Sequence, residues 1–254
     1  EAAPELMKLV ELLSIPVISS PNGMGCIPMS HPLSLGFIGR NGTFPANQAG
    51  RHADLVIAIG ARFDDRVTGN LERFSQKSKK IHIDIDPSCI GKNVSVDIPI
   101  VGDAKNILRD MNKLAQPVQI EPWMRQIREW QEKYPFEYRQ NGDQVMPQYV
   151  IEQTYDLFPD AVVTADVGQH QMWAAQYFKY TEHRQWLNSG GLGTMGFSLP
   201  ATIGAQLGRP DKTLVNINGD GSFIMNIQEL VPAVTMKLPL KIFIINNMYL
   251  GMVR

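Results

Sequence analysis

Thr213-Leu-Val-Asn-Ile-Asn-Gly-Asp-Gly-Ser222 and Lys241-Ile-Phe-Ile-Ile-Asn-Asn247 are the stretches that decide how this chain is read. Each is a largely apolar run that ends in turn residues, Gly219-Asp-Gly221 in the first and Asn246-Asn247 in the second. The segment between them, Ser222 to Lys237, has the length of one helix. The order strand–turn–helix–strand is that of a βαβ unit. Strands so connected are as a rule parallel neighbours, and both turns then open on the carboxyl edge of one sheet. Asp220 and Asn247 would face each other there as two oxygen ligands for a hard divalent cation. Gly219 and Gly221 would let backbone N–H groups approach a phosphate. An isolated aspartate before a helix is as readily an N-cap; a second coordinating oxygen on the neighbouring strand end is what favours the metal.

Working outward, further apolar strand-length runs precede helical spacing. Residues 1 to about 116 read as one α/β unit, with a helix from Pro4 to Leu13 and a short strand Pro16–Ser19. Asp54–Ile59, Lys80–Ile85 and Pro99–Val101 have the character of buried parallel strands. Asp103 can cap a helix over Ala104–Leu114. Residues 117–145, with two early prolines and a helix at Trp123–Lys133, read as a linker. Residues 146–254 form the second unit: a helix at Gln148–Leu157, a strand at Ala161–Ala165, a helix from Gln169, a strand near Gln185–Leu187 and a helix at Phe197–Leu207. The fold class expected is α/β, two doubly wound parallel-sheet (Rossmann-like) domains joined by a linker.

Composition excludes several classes of function. The net charge of −1 comes without a long basic or acidic block, which argues against nucleic acid or a membrane surface as partner. Apolar residues make up 44% of the chain, enough for real cores, yet no run approaches the ~18 residues of a membrane span. The two cysteines, Cys26 and Cys89, make no disulfide framework and lack zinc-site spacing.

Three other segments carry chemistry. Gly168-Gln169-His170 sits where a strand ends and a helix begins, a natural anion site; a lone histidine there is more often a cap or a packed residue. Gly191-Leu-Gly193-Thr-Met195-Gly196 has the G-x-G-x-x-G form of a dinucleotide loop. The acid expected on the next strand is Asp220, whose Gly-Asp-Gly context favours a metal instead. In the first unit, Gly60-Ala61-Arg62, Asp84-Ile85 and Gly102-Asp103-Ala104 end three successive strands, the usual crevice for a nucleotide-like ligand. The bland alternative is a surface ion-pair cluster of Arg62, Asp64, Asp65 and Arg66.

The wider text carries a resemblance. Gly190-Gly-Leu-Gly-Thr-Met-Gly-Phe197, Gly219-Asp-Gly-Ser-Phe-Ile-Met-Asn226 and Gly251-Met-Val-Arg254 closely resemble the acetohydroxyacid (acetolactate) synthase catalytic subunits of the thiamine-diphosphate-dependent enzymes. Val56-Ile-Ala-Ile-Gly-Ala-Arg-Phe-Asp-Asp-Arg-Val-Thr-Gly69 and His82-Ile-Asp-Ile-Asp-Pro87 are similar to the central domain of the same family, so the likeness covers nearly the whole chain. It implies decarboxylation of pyruvate and joining of the two-carbon unit to a second 2-keto acid, pyruvate or 2-ketobutyrate, on the route to branched-chain amino acids. Thiamine diphosphate would meet Gly168, Gln169, His170, Gly193, Met195, Gly219, Gly221 and Ser222. The Gly193 carbonyl would accept from its aminopyrimidine, and Met195 would hold its bent shape. Mg²⁺ would be held by Asp220, Asn247 and the backbone carbonyl of Tyr249. FAD would lie along Gly39, Arg40, Gly42, Gly60, Ala61, Arg62, Asp64, Arg66, Asp84, Ile85, Asp103 and Ala104. The family usually has Gly-Met-His-Gly where this chain reads Gly39-Arg-Asn-Gly42.

The same resemblance implies a homodimer or tetramer with the active site at the subunit interface, and a small regulatory subunit as a further partner. It also implies an activating glutamate from a separate domain that would precede Glu1, so that no catalytic residue lies within 1–254 and these residues alone would be inert. The address would be cytoplasmic in a bacterium, or plastid or mitochondrion in a eukaryote. Two rival readings are a sister enzyme such as glyoxylate carboligase and a non-catalytic protein that binds the same cofactors; intact Asp220 and Asn247 weigh against the second.

Overall fold

The computed structural model describes residues 1–254, which divide into two compact units. Unit 1 comprises Glu1–Ser20 and His31–Glu137; unit 2 comprises Pro21–Ser30 and Tyr138–Arg254.

In unit 1, α1 (Ala3–Leu13) has Pro4 in its first turn, buries Leu9 and Val10, and stops where Ser14 turns left-handed at φ 53°. β1 (Val17–Ser19) and β2 (Ser34–Phe37) form a parallel pair. α2 (Phe44–His52) follows, its start fixed by Thr43, whose Oγ1 accepts from Ala46 N at 3.2 Å and donates to Leu35 O at 2.7 Å. Then come β3 (Leu55–Ile59), the one-turn α3 (Asp65–Thr68), β4 (Lys79–Asp84), β5 (Ile98–Val101) and α4 (Ala104–Leu114). The three strands make one parallel sheet in the order β3-β4-β5. Asp103 caps α4 as expected, accepting from Asn106 N at 3.0 Å.

β2 and α2 go unanticipated by the sequence reading, because Gly36 interrupts a four-residue strand and Pro45, Asn47 and Gly50 weaken the helix pattern. α5 (Glu121–Lys133), expected beside a linker, packs into unit 1. Its Ile127 is buried with Leu35, Ala46 and Ala49, with Trp123, Met124 and Trp130 around them. That burial outweighs the two nearby prolines that signal a linker.

Unit 2 contains α6 (Pro147–Leu157), β6 (Val162–Ala165), α7 (Gln169–Tyr177), β7 (Trp186–Asn188), α8 (Ser198–Gly208), β8 (Leu214–Gly219), α9 (Asp220–Phe223), α10 (Leu230–Thr235) and β9 (Lys241–Ile245). All four strands are parallel, in the order β7-β6-β8-β9. The chain leaves β6 to one side for β7 and returns to the other side for β8. The crevice between the carboxyl ends of β6 and β8 is therefore a topological switch point, where ligands settle in open α/β sheets. The single helix expected over Ser222–Lys237 is three pieces: α9, a 3₁₀ stretch at Ile224–Glu229 and α10. Asn226 leaves helical geometry (φ −133°, ψ 32°) because its amide is spent on Gly196 O at 2.7 Å. Pro232, which has no N–H, is accommodated in the first turn of the restarted helix.

Candidate active site

β8 is buried along its whole length although it carries two asparagines. Asn216 and Asn218 point to one face, two residues apart, and meet polar partners from β6 and α8. Asn216 Nδ2 donates to the Thr164 and Thr202 hydroxyls, both at 3.0 Å. Asn218 Nδ2 donates to Ser198 Oγ at 2.8 Å and Asn216 Oδ1 at 3.2 Å, while its Oδ1 accepts from Gly219 N at 3.0 Å and Ser222 Oγ at 2.9 Å. Every hydrogen-bonding site of the Asn218 amide is used, which is what makes its full burial tolerable.

Above this ladder the turns converge. The His170 ring is buried between two glycines: a Cβ on Gly168 would fall 2.4 Å from its Cε1, and one on Gly219 would fall 2.6 Å from its Cε1 and Nδ1. Any side chain at either position would expel the ring. Burial pushes the imidazole down to about 4, against an opposing pull from Asp166 and Asp220, so His170 is neutral at pH 7. Its Nε2 lies 3.5 Å from Ser222 Oγ.

Asp220 is the first residue of α9 and is half-buried; the cap position belongs to Gly219, which makes no side-chain cap. The bland role of Asp220 as an N-cap is thereby removed. Asn247 is tied across to α7, with its Nδ2 donating to Gln169 Oε1 at 2.9 Å and its Oδ1 accepting from Tyr249 N at 3.0 Å. Gly221 lies beneath Leu250 and Met195: a Cβ there would be 2.6 Å from Leu250 Cδ2 and 3.9 Å from Met195 Cε. A Cβ on Gly251 would strike Gln169 Oε1. The structure thus gathers Gly168, Gln169, His170, Met195, Gly219, Gly221, Ser222 and Asn247 around the switch point, with Asp220 at the same strand end. Gly193 stands apart, in an exposed loop with nothing within 4 Å of the position a Cβ would take. The Tyr249 ring is exposed beneath the Arg254 guanidinium, 4.1 Å away.

No three His, Cys, Asp or Glu side chains converge on a common point. A cation here would therefore draw on one carboxylate and neutral oxygens, the ligand set that suits Mg²⁺ when phosphate oxygens complete the octahedron.

In unit 1 the three strand ends are laced together: Gly60 N donates to Ile83 O at 2.8 Å and Gly102 N to Asp84 O at 2.9 Å. Gly60 has φ 61° and open space around it, whereas Ile85 is exposed at the neighbouring strand end. Phe63, buried on Ala58 and Val94, holds a left-handed backbone at φ 50°. Asn93 Nδ2 secures that turn by donating to Arg62 O and Phe63 O, at 3.0 and 3.1 Å. Asp64 caps α3 and lies 3.6 Å from the Arg62 guanidinium, an exposed pair worth little in stability. Arg66 is exposed and is not in that pair; its carbonyl accepts from Arg40 N at 2.9 Å. Gly39 is pressed on that same carbonyl, so close that a Cβ would meet it at 2.4 Å, and Asn47 grips the Gly39 peptide from the other side at 2.9 and 3.0 Å. The Gly39–Gly42 loop is accordingly rigid at its base and offers the exposed Arg40 side chain at its tip.

Sequence reasoning did not single out Asp166, Ser198, Asn216, Asn218 or Asn226 as site residues. The available signal was small polar residues at alternate positions of a strand otherwise made of Leu, Val and Ile.

Residues 1–111 match "Thiamine pyrophosphate enzyme, central domain" and residues 166–254 match "Thiamine pyrophosphate enzyme, C-terminal TPP binding domain". The chain belongs to the thiamine pyrophosphate enzymes. Within that class it is similar to acetolactate synthases. It is 46% identical to acetolactate synthase 2, chloroplastic, of Nicotiana tabacum, over 100% of this chain and 39% of the relative. Against the acetolactate synthase isozyme 3 large subunit of Escherichia coli it is 45% identical, over 98% of this chain and 45% of the relative. The Haemophilus influenzae large subunit gives 44%, over 100% and 46%. The chain spans less than half the length of these relatives.

Proposed function

We propose that residues 1–254 carry the central domain (1–116), a linker with a helix (117–145) and the diphosphate-binding domain (146–254) of an acetolactate synthase. The whole protein would condense pyruvate with pyruvate or 2-ketobutyrate, with loss of CO₂, in the first common step of branched-chain amino acid biosynthesis. The observation that carries this reading is the meeting of Asp220, Gly221 and Asn247 with Gln169 and His170 at the switch point of unit 2.

Thiamine diphosphate fits the residues present. The glycines at 168 and 219 make the room that the neutral His170 ring fills, and Gly221 puts no side chain between its backbone and an approaching phosphate. Asp220, Asn247 and the Tyr249 carbonyl would hold Mg²⁺ against the diphosphate, and Gly193 with Met195 would receive the ring end. When bound, the cofactor supplies the nucleophilic carbon on which 2-keto acids are decarboxylated. The chain's own contribution is to bind, to orient and to keep water out beneath Met195 and Leu250.

The laced strand ends of unit 1 fit FAD equally. Open glycine backbone at Gly60 would admit its pyrophosphate, with Ala61, Arg62, Asp64, Arg66, Asp84, Ile85, Asp103 and Ala104 along it. Between Gly39 and Gly42, Arg40 and Asn41 stand where the family usually offers Met-His, and the Arg40 guanidinium would face the same anion.

The exposed apolar side chains of Ile224, Met225, Ile227, Val231, Val234 and Met248 support an association that covers them, here a homodimer or tetramer. The "large subunit" in two relatives' names supports a smaller regulatory partner. Relatives from chloroplasts and from bacteria support a plastid or a bacterial cytoplasm as the address. No helix is long and apolar enough to cross a membrane.

The test is acetolactate formation from pyruvate by the full-length protein with Mg²⁺ and thiamine diphosphate, with and without FAD. Product should appear in the wild type and vanish in Asp220→Ala, while residues 1–254 alone should give none. Consumption of glyoxylate with no turnover of pyruvate would refute the assignment in favour of glyoxylate carboligase.

A further inference from the structure

Gly196 is gripped from two sides. Its N–H donates to Asp166 Oδ1 at 2.9 Å, and its carbonyl accepts from Asn226 Nδ2 at 2.7 Å. Asp166 is fully buried at the end of β6, and its carboxylate accepts three more hydrogen bonds: Val167 N at 2.8 Å, Ser198 N at 2.8 Å and Ser198 Oγ at 2.9 Å. It thereby ties the last residue of the Gly190–Gly196 loop and the start of α8 to the strand end that also launches Gln169 and His170. Asn226 reaches the same peptide from the 3₁₀ stretch after the Gly-Asp-Gly turn, abandoning helical geometry to do so. Gly196 itself sits at φ 84°, and a Cβ there would lie 2.8 Å from Asn226 Nδ2, so the grip requires glycine.

The residue immediately before this peptide is Met195, whose Cε extends to the space over Gly221. Two independent elements, β6 and the stretch after α9, thus fix the height of one methionine above the turn. A loop of four glycines in seven residues has no stiffness of its own. Its position must come from such anchors.

We propose that Asp166 and Asn226 are positioning residues of the cofactor site: together they clamp Gly196 and set Met195 at the distance from Gly221 that the ring end of thiamine diphosphate needs. This rests on the cofactor reading above. Neither residue is placed to touch the diphosphate, which belongs to Gln169, His170, Gly221 and Ser222. The clamp should therefore matter for the whole cofactor and not for its diphosphate end alone.

Calorimetric titration of the full-length protein with thiamine diphosphate and, separately, with inorganic pyrophosphate, both with Mg²⁺, distinguishes these ends. Asn226→Asp keeps the shape of the side chain and removes the donor. It should weaken thiamine diphosphate about five- to tenfold, as expected for one lost hydrogen bond, and leave pyrophosphate within about twofold. Asp166→Asn should do the same or more, since its amide must face the Gly196 N–H or the Ser198 N–H with a donor. Should Asp166→Asn fail to fold, Asn226→Asp decides. A parallel loss for both ligands, or no loss for either, would overturn the clamp. A wild-type protein that binds neither ligand would refute the cofactor reading itself, and the clamp with it.

Discussion

Replacing Asn218 by aspartate exchanges an NH₂ group for an oxygen of nearly equal size, yet it should destabilise unit 2 by about 3–4 kcal/mol at pH 7. The amide nitrogen donates to Ser198 Oγ and Asn216 Oδ1. Ser198 spends its one proton on Asp166 Oδ2, and Asn216 Oδ1 has none. A carboxylate at 218 would therefore face two acceptors, with a second carboxylate just beyond the serine hydroxyl. If it stays ionised, two charges less than about 6 Å apart repel by roughly 3 kcal/mol even at an effective dielectric constant of about 20. If it takes up a proton, lifting a carboxyl with an ordinary pKa of about 3.9 to neutrality costs about 4 kcal/mol at pH 7 and about 1.5 at pH 5. Both routes give a similar loss at pH 7. Because the folded state raises this carboxyl's pKa, the deficit must shrink on acidification. The urea dependence of hydrogen exchange at the β6 and β8 amides reads unit 2 by itself. A deficit below about 1 kcal/mol at pH 7, or one unchanged at pH 5, would refute the view that this ladder has no spare proton.

Gly219→Ala places a Cβ 2.6 Å from the His170 ring, so the ring must leave its slot; a loss of about 1–3 kcal/mol in unit 2 is expected by the same exchange measurement, and no change would show that the slot is loose. His170 is held at about 4 by burial, below its ordinary 6.5, so its contribution to stability is complete above pH 6.5 and is lost as pH falls towards 4. Between pH 7 and pH 4 the wild type should lose about 3 kcal/mol more than His170→Gln, and equal losses would contradict the burial argument. Asp103→Ala removes the cap of α4 and should lower the stability of unit 1 by about 1 kcal/mol in urea unfolding; an unchanged midpoint would make the 3.0 Å bond to Asn106 N inconsequential.

The parallel strands of both units apart from β2, the helices α1, α4, α6 and α8, and the placing of Gly219-Asp-Gly221 and Asn246-Asn247 at the carboxyl ends of adjacent strands were legible in the residues. Apolar runs bounded by glycine and aspartate have few other uses, and the resemblance rests on long, specific stretches. Less was legible where local signals conflict with distant contacts. α2 reads poorly as a helix because of Pro45, Asn47 and Gly50, yet Ala46 and Ala49 pack on Ile127 of α5. The segment after the Gly-Asp-Gly turn reads as one helix, yet Asn226 breaks it to reach Gly196, thirty positions back in the chain.

The sequence by itself determined the strand ends at which a diphosphate and a cation could be held, since turn residues announce themselves locally. Only the tertiary structure decided what holds those ends in place. Asp166, Ser198, Asn218 and Asn226 look, one at a time, like ordinary loop or cap residues. Their role arises when β6, β8 and α8 pack together and bring these buried polar atoms within hydrogen-bonding reach of partners distant in the chain. Such pairings depend on distances across the fold, which no spacing along the chain encodes.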